Sequence, residues 1–178
     1  MHRSTIIFLL ILSAFQVLAS DPESKFPKNL IIHDKPIAYK NTTFYDQKDE
    51  KFDLASFNKK LFIVYFFASW CGDCIDEIKQ LEALQQKIGN NNLLVIPISE
   101  DYKPRHEVID DLAGRFKLEA KIFFDNKNEL YKELKIKTIP SAVIVTKDRE
   151  EIARVTGRGS WEDSYMQSII LKYLDKVN

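Results

Sequence analysis

The sequence is short of the residues that build metal centres and disulfide frameworks. Its 178 residues include only two cysteines and three histidines, whereas a structural zinc ion takes four ligands and a disulfide scaffold takes several bridges. An excess of one charge is also absent, because 26 basic and 26 acidic residues cancel and no concentrated basic block occurs. Nucleic acid is therefore not the expected partner.

What the sequence does contain is enough apolar surface for one folded domain. The chain is 45% hydrophobic and 29% charged, which is the composition of an ordinary globular protein. A chain of this length buries a sizeable core, and we expect one domain rather than several.

The first 19 residues have the layout of a secretory signal peptide. Arg3 precedes an apolar run from Ile6 to Leu12 that continues to Ala19, and Val17 and Ala19 stand at the −3 and −1 positions of a cleavage site. The run is shorter than the roughly 20 apolar residues of a membrane-spanning helix, although retention as an uncleaved anchor stays open. No cysteine follows it, which excludes a lipid-modified cysteine at that junction. We therefore expect the protein to work outside the cytoplasm, where disulfides persist.

Apolar periodicity predicts a mixed α/β domain after an extended lead-in over residues 20–41. Residues 42–57 alternate apolar and polar side chains around a polar tip, which predicts an N-terminal hairpin. The unbroken apolar run at 61–67 predicts a strand covered on both faces. Apolar residues at every third or fourth position from Cys74 to Ile88 predict an amphipathic helix.

The rest of the chain continues the alternation of strands and helices. Further strands are predicted at 93–98, 121–125, 141–146 and 151–156, with a brief helical piece at 129–136 and helices at 104–118 and from Ser160 to about Lys176. The last two strands flank a polar turn, which indicates an antiparallel pair. The whole pattern predicts a central mixed β-sheet flanked by helices on both faces.

Both cysteines of the chain, Cys71 and Cys74, lie three residues apart where the buried strand meets the helix. A Cys-x-x-Cys pair is compatible with half of a zinc site, with a passive structural disulfide or with redox chemistry. No second pair exists and the histidines are scattered, so zinc lacks its other ligands. A bridge across so small a loop stabilises little. The position favours redox chemistry, because a helix N-terminus stabilises the thiolate that attacks disulfides.

In the redox interpretation the two cysteines have different roles. Cys71, at the helix start, is the attacking nucleophile. Cys74, one turn inside the helix, resolves the mixed disulfide that forms at Cys71. Asp73, between them, carries a negative charge that disfavours the thiolate modestly and so favours a more reducing protein.

Two motifs in this order resemble the thioredoxin superfamily. The segment FFASWCGDC (66–74) resembles its active-site segment. The segment TIPSAVIV (138–145) resembles its second signature, in which a proline with a cis peptide bond, here Pro140, faces the disulfide. The resemblance covers residues 42–178 and implies a thioredoxin-like fold there, with Trp70 and Ile139 beside Pro140 on the surface that receives the substrate.

Within the superfamily the chain is most similar to the exported TlpA/ResA-like thiol–disulfide oxidoreductases. It shares the signal-like start, the hairpin before the core, an extra helical stretch at 101–118 and a Cys-x-x-Cys-x-x-Glu pattern that supplies Glu77. In that subfamily this glutamate assists proton transfer at the buried cysteine. Thioredoxins carry a buried aspartate in the preceding strand, where this chain has Tyr65, so Glu77 is the nearest candidate base. A solvated glutamate on the helix surface is the alternative.

The resemblance implies an exported thiol–disulfide oxidoreductase with a redox-active Cys71–Cys74 disulfide, in the bacterial periplasm or anchored in the inner membrane and facing it. It implies that the protein acts as a reductant of client protein disulfides, with a membrane redox partner and without a metal or organic cofactor. A non-catalytic module that binds a protein partner in the same groove is the alternative. A peroxidase is disfavoured, because Ser69 and Trp70 stand where that chemistry needs Pro- and Thr-containing sequence.

Two further acids, Glu100 and Asp101, follow the end of the strand predicted at 93–98. They are interpreted as solvated loop residues.

Overall fold

The computed structural model describes residues 29–118 and 120–176. The signal peptide or anchor predicted at 1–19 and the first part of the lead-in lie outside these residues. The strands are β1 (Leu30–Ala38), β2 (Thr43–Tyr45), β3 (Lys51–Asp53), β4 (Leu61–Phe67), β5 (Leu93–Ser99), β6 (Phe123–Phe124), β7 (Ser141–Thr146) and β8 (Glu150–Thr156). The helices are α1 (Gly72–Ile88), α2 (Arg105–Phe116), α3 (Glu129–Glu133) and α4 (Ser164–Lys176). In this part of the chain, no helix is both long and apolar enough to cross a bilayer.

The strands form one mixed sheet in the order β1-β8-β7-β4-β5-β6-β2-β3. β4 pairs in parallel with β5 and antiparallel with β7, so the strand that leads to the cysteines is central. β7 and β8 pair antiparallel, and β2 and β3 form the N-terminal hairpin at one edge. The predicted mixed sheet and both predicted antiparallel pairs are therefore confirmed.

Both faces of β4 are buried, as its continuous apolar run predicts. Successive side chains of a strand point to opposite faces of the sheet, and here each set enters a different core. Leu61, Ile63, Tyr65 and Phe67 pack with residues of α1, α2 and α4. Phe62, Val64 and Phe66 pack with residues of α3 and the hairpin. Helices therefore cover both faces of the sheet.

The lead-in predicted over 20–41 contributes a strand to the sheet. β1 pairs antiparallel with β8 and forms the second edge. Beside it the buried Glu151 accepts hydrogen bonds from Arg154 at 2.6 and 2.5 Å and from the Tyr39 hydroxyl, and lies 2.6 Å from Nε2 of His33. Burial acts to raise the pKa of Glu151, but these hydrogen bonds lower it below its ordinary value. The sheet therefore includes residues upstream of 42.

Helix α4 begins later than predicted. The sequence predicts its start at Ser160, whereas the helix starts at Ser164. Asp163 accepts a hydrogen bond from the backbone N–H of Tyr165 at 2.8 Å, which is the arrangement of an N-cap residue. The predicted start is wrong because the segment before Asp163 bonds elsewhere: Trp161 donates a hydrogen bond to a buried carboxylate of α1.

Candidate active site

Cys71 and Cys74 meet at the amino end of α1, directly beyond β4. They form a disulfide with a Cα–Cα distance of 5.3 Å. Cys71 is the N-cap residue of α1, so it lies at the positive end of the helix dipole. Cys71 is partly exposed, whereas Cys74 is fully buried. Of the two cysteines, only Cys71 is therefore in contact with solvent.

The peptide bond between Ile139 and Pro140 is cis, as the resemblance implies. Ser141 follows it and pairs with Phe66 of β4, so Pro140 lies at the end of the sheet where β4 leads into the cysteines. The carbonyl of Pro140 accepts a hydrogen bond from the backbone N–H of Gly157 at 2.8 Å. This bond ties the cis-proline loop to the end of β8.

A groove opens beside Trp70, whose side chain is 71% exposed. The groove has a volume of about 340 Å³. Its lining residues are Trp70, Glu100, Tyr102, Asn128, Tyr131, Thr138 and Ile139. Two of the three residues predicted for the substrate surface, Trp70 and Ile139, therefore share one groove, and Pro140 follows directly after Ile139.

Glu77 is fully buried, so the alternative of a solvated surface glutamate is wrong. Its Oε1 accepts hydrogen bonds from the backbone N–H of Gly159 at 2.7 Å and from the indole N–H of Trp161 at 2.6 Å. Its Oε2 accepts a hydrogen bond from the Tyr65 hydroxyl at 3.2 Å. The same hydroxyl lies 3.2 Å from the carbonyl oxygen of Cys74. The Tyr65 hydroxyl thus connects Glu77 to the residue that bears the buried sulfur.

Burial and hydrogen bonding oppose each other at Glu77. Burial raises the pKa of Glu77 above its ordinary value of 4.5, while the hydrogen bonds from Gly159, Trp161 and Tyr65 act to lower it. Burial, together with the neighbouring Glu77 carboxyl, also raises the pKa of Tyr65. Tyr65 therefore stays protonated and donates. A carboxyl whose pKa is raised towards neutrality is better matched to proton exchange near neutral pH.

The contact between Gly159 and Trp161 requires a residue without a side chain. A Cβ atom at Gly159 would lie only 2.6 Å from ring atoms of Trp161. Glycine therefore lets a backbone N–H and an indole N–H approach the same oxygen of Glu77. Neither residue is predicted from the sequence, because both lie more than 80 positions from Glu77 and no motif marks them.

Asp73 forms an ion pair with Arg158, with 3.0 Å between the carboxylate oxygen and the guanidinium nitrogen. Both side chains are largely exposed, so the pair contributes little to stability. The ion pair instead changes the net charge near Cys71. The guanidinium partly offsets the negative charge that is predicted to disfavour the thiolate.

The carboxylate of Asp101 is hydrogen-bonded to the loop that leads to the cysteines. Its interpretation as a solvated loop residue is therefore wrong. Its carboxylate accepts hydrogen bonds from the backbone N–H of Ser69 at 2.7 Å, from the Ser69 hydroxyl at 2.8 Å and from the Ser99 hydroxyl at 2.8 Å. The register of β4 and β5 pairs Phe67 with Ser99. A signal was available in the sequence, since the carboxyl ends of two adjacent parallel strands meet at one edge of a sheet.

Glu100 is partly buried, and the solvated interpretation is wrong for it as well. Its Oε1 is buried and has no hydrogen-bond partner in the described part of the protein. Burial is the main cause that raises the pKa of Glu100 to about 8, and the negative charges of Asp125 and Asp101 add to it.

Comparison with known proteins assigns the chain to a family. The sequence profile of the AhpC/TSA family matches residues 18–153. The chain therefore belongs to this thioredoxin-like family.

Two curated relatives carry names that describe redox activity. One is the sporulation thiol-disulfide oxidoreductase A of Bacillus subtilis, 27% identical over 89 residues, which are 49% of this chain and 54% of the relative. The chain thus aligns with about half the length of that relative. The other is the thiol-disulfide oxidoreductase ResA of Bacillus thuringiensis, 21% identical over 72% of this chain and 75% of the relative.

A solved structure has the same fold. It is a Chlorobium tepidum protein described as a candidate DsbE-type thiol:disulfide interchange protein. The TM-score is 0.67 at 19% identity, with 79% of this chain and 98% of that chain covered. The fold of the described residues is therefore thioredoxin-like, and the predicted fold class is confirmed.

Proposed function

We propose that the protein is an exported thiol–disulfide oxidoreductase that reduces disulfides in client proteins. One observation carries the proposal. Cys71 and Cys74 form a disulfide at the start of a helix, and of the two only Cys71, which directly follows the groove residue Trp70, is partly exposed. The names of the curated relatives agree with this chemistry.

The reduced protein passes two electrons to a client in two exchange steps. The thiolate of Cys71 attacks one sulfur of the client disulfide, forms a mixed disulfide and releases the other client sulfur as a thiolate. The Cys74 thiolate then attacks the sulfur of Cys71, which restores the Cys71–Cys74 disulfide and releases the second client thiolate. The client disulfide becomes two thiols, and the dithiol of the protein becomes a disulfide.

Glu77 takes the proton that Cys74 must lose before it attacks. Burial disfavours the thiolate of Cys74, so a nearby base is needed. Glu77 is buried one helical turn away from Cys74, so the thiol proton passes to it directly or through one water. The Tyr65 hydroxyl, which contacts the backbone carbonyl of Cys74 rather than its sulfur, holds the Glu77 carboxyl in place. Its raised pKa makes it a better acceptor than an ordinary carboxylate.

Trp70, Ile139 and Pro140 position the client. Trp70, which precedes Cys71, and Ile139 line one groove, and Pro140 directly follows Ile139. We further propose that the protein is exported through the signal-like residues 1–19, works in the bacterial periplasm or from a membrane anchor, and is reduced again by a membrane dithiol partner.

Trapping a client tests the proposal. Cys74→Ser leaves Cys71 able to attack but removes the thiol that releases the client, so mixed disulfides should accumulate on non-reducing gels. Cys71→Ser should abolish them. If neither variant captures an insulin chain or any extracted protein, the protein has no protein-disulfide substrate, and a module that only binds a partner becomes the better explanation.

A peroxidase is the alternative enzyme activity to be tested for a chain that matches this family. Ser69 and Trp70 precede Cys71 in place of the Pro- and Thr-containing sequence that such chemistry uses. We expect insulin reduction in the presence of dithiothreitol and no comparable consumption of hydrogen peroxide.

A further inference from the structure

The groove beside Trp70 contains a carboxyl group that the exchange reaction does not use. Glu100 lines the groove, and its buried Oε1 meets no hydrogen-bond partner among residues 29–118 and 120–176. A buried carboxyl oxygen without a donor costs free energy, so the described residues do not complete the hydrogen bonding of the Glu100 carboxyl.

The charges that act on Glu100 are both negative. Asp125 and Asp101 raise its pKa, in that order after burial itself. Asp125 accepts backbone hydrogen bonds from Leu130 at 3.0 Å and Tyr131 at 2.7 Å at the start of α3, and Asp101 is bonded to two serines. The carboxylates of Asp125 and Asp101 thus already accept hydrogen bonds within the protein. Within residues 29–118 and 120–176, no cationic side chain offsets their effect on Glu100. The three acids do not form a metal site, because the described residues contain no suitable cluster of His, Cys, Asp and Glu.

The remaining walls of the groove are rich in aromatic rings. Trp70 and Tyr102 are 71% and 99% exposed. Tyr131 is held from behind by an edge-to-face contact with Phe66, with 5.8 Å between ring centroids. Aromatic faces attract cations within about 6 Å of the ring centre. Rings around an unpartnered acid are therefore complementary to a positively charged side chain.

We propose that this groove is a subsite for a lysine or arginine side chain of the client, next to the cysteine that Cys71 attacks. The assignment rests on the proposed function, because the groove adjoins Cys71 through Trp70. The cation pairs with the carboxyl group of Glu100, which lines the groove, and stacks against the rings of Tyr131 and Tyr102.

The subsite couples binding to a proton. With a pKa of about 8, the carboxyl of Glu100 is mostly protonated at neutral pH while the groove is empty. An inserted cation favours the ionised form, so Glu100 releases its proton on binding. The titratable groups that face it are Asp101, Asp125, Tyr102 and Tyr131. The preference for a cation should therefore increase as the pH rises from about 6 to about 8.

Two disulfide-bridged peptides test the subsite. They are identical except that one has lysine and the other has uncharged norleucine beside the attacked cysteine. The rate constants for their reduction by the reduced protein are measured between pH 6 and 9 and divided by the rate constants with dithiothreitol. The normalised rate constant of the lysine peptide is then divided by that of the norleucine peptide at each pH. This ratio does not depend on the ionisation of Cys71, which is common to both reactions, or on the intrinsic reactivity of each disulfide, which the dithiothreitol rate corrects.

The lysine peptide should react about tenfold faster at pH 8, which corresponds to about 1.4 kcal/mol, and the ratio should be smaller at pH 6. Glu100→Gln should bring the ratio close to one at every pH. Glu107→Gln, on the exposed side of α2, is the matched control and should leave the ratio as it is. Tyr102→Ala, which removes a fully exposed ring, should lower the ratio in part.

Equal normalised rates for the two peptides would overturn the subsite, and so would a ratio that survives Glu100→Gln. Faster reaction of the norleucine peptide would identify the groove as a site for apolar side chains. Failure to reduce either peptide would instead contradict the proposed function, so the two failures are distinguishable.

Discussion

Two carboxyl groups near the cysteines, the buried Glu77 and the partly buried Glu100, differ in what surrounds them. Glu77 has donors on both oxygens, from Gly159, Trp161 and Tyr65. Glu100 has a buried oxygen without a partner and only acidic groups as charged neighbours. Burial is the leading cause of the raised pKa of both. Burial therefore raises the pKa in both places, whereas only at Glu77 do donors from the protein complete the hydrogen bonding of the carboxylate.

The largest expected effect is at the carboxyl that has donors. Glu77→Gln keeps the shape and the acceptor oxygen but removes the base, so release of the client should slow by about 10²-fold or more while attack by Cys71 changes little. Stopped-flow traces should then show an accumulating mixed disulfide. Asp76→Asn, at an exposed position of the same helix, is the control. Normal resolution in the Gln variant would leave the proton of Cys74 to bulk water.

Asp101, the residue after Glu100, differs from it in that its carboxylate accepts hydrogen bonds from the protein. Its removal measures how much these bonds contribute to the free energy of unfolding. Asp101→Ala removes three acceptor contacts to Ser69 and Ser99. We expect a loss of about 1.5–3 kcal/mol in the free energy of unfolding, measured by urea denaturation, and slower exchange because the loop before Cys71 is released. Asp110→Ala, exposed on α2, should change neither property. Unaltered stability of the Asp101 variant would contradict the assigned contacts.

Removing one donor should make Glu77 more like Glu100. Trp161→Phe deletes an N–H donor to the carboxylate, which destabilises the ionised form and raises the pKa of Glu77 further. The acid limb of client release should therefore move to higher pH. Tyr65→Phe should shift it less, since that hydroxyl lies farther away, at 3.2 Å, and is shared with the Cys74 carbonyl. A pH profile that does not move in either variant would contradict proton transfer to Glu77.

The last expected effect concerns stability at the carboxyl that has an oxygen without a partner, where solvent screening of a partly exposed group reduces the change. The pKa of Glu100 is raised from 4.5 to about 8 on folding, so its contribution to stability is present below pH 4.5 and is lost as the pH rises to about 8. Glu100→Gln removes this dependence. Relative to the wild type, the variant should be similarly stable at pH 4 and more stable at pH 9. One proton changes the slope by at most about 1.4 kcal/mol per pH unit, and partial exposure reduces it. Parallel stability curves would show that Glu100 is solvated.

Local patterns predicted most of the fold. The apolar run of β4, the amphipathic spacing of α1, the hairpin and the β7–β8 pair are visible in the sequence, because strand and helix periods depend on near neighbours. The strand β1 was not predicted, since it exists only through pairing with β8, more than 100 positions away. The start of α4 was misplaced for a similar reason. The residues before it bond to Glu77 rather than continue the helix.

The sequence by itself determined the chemistry that is available: two cysteines one helical turn apart at the end of a buried strand, a proline in the matching second motif and a glutamate one turn further. These relations are local, and they follow from the spacing along a helix or strand. Only the tertiary structure decided the environment of each acid. It buried Glu77 against Tyr65, Gly159 and Trp161, tied Asp101 to the cysteine loop and left Glu100 facing an aromatic groove. The physical reason is that desolvation and hydrogen-bond donors come from segments distant in the chain, and their positions depend on how the sheet and helices pack.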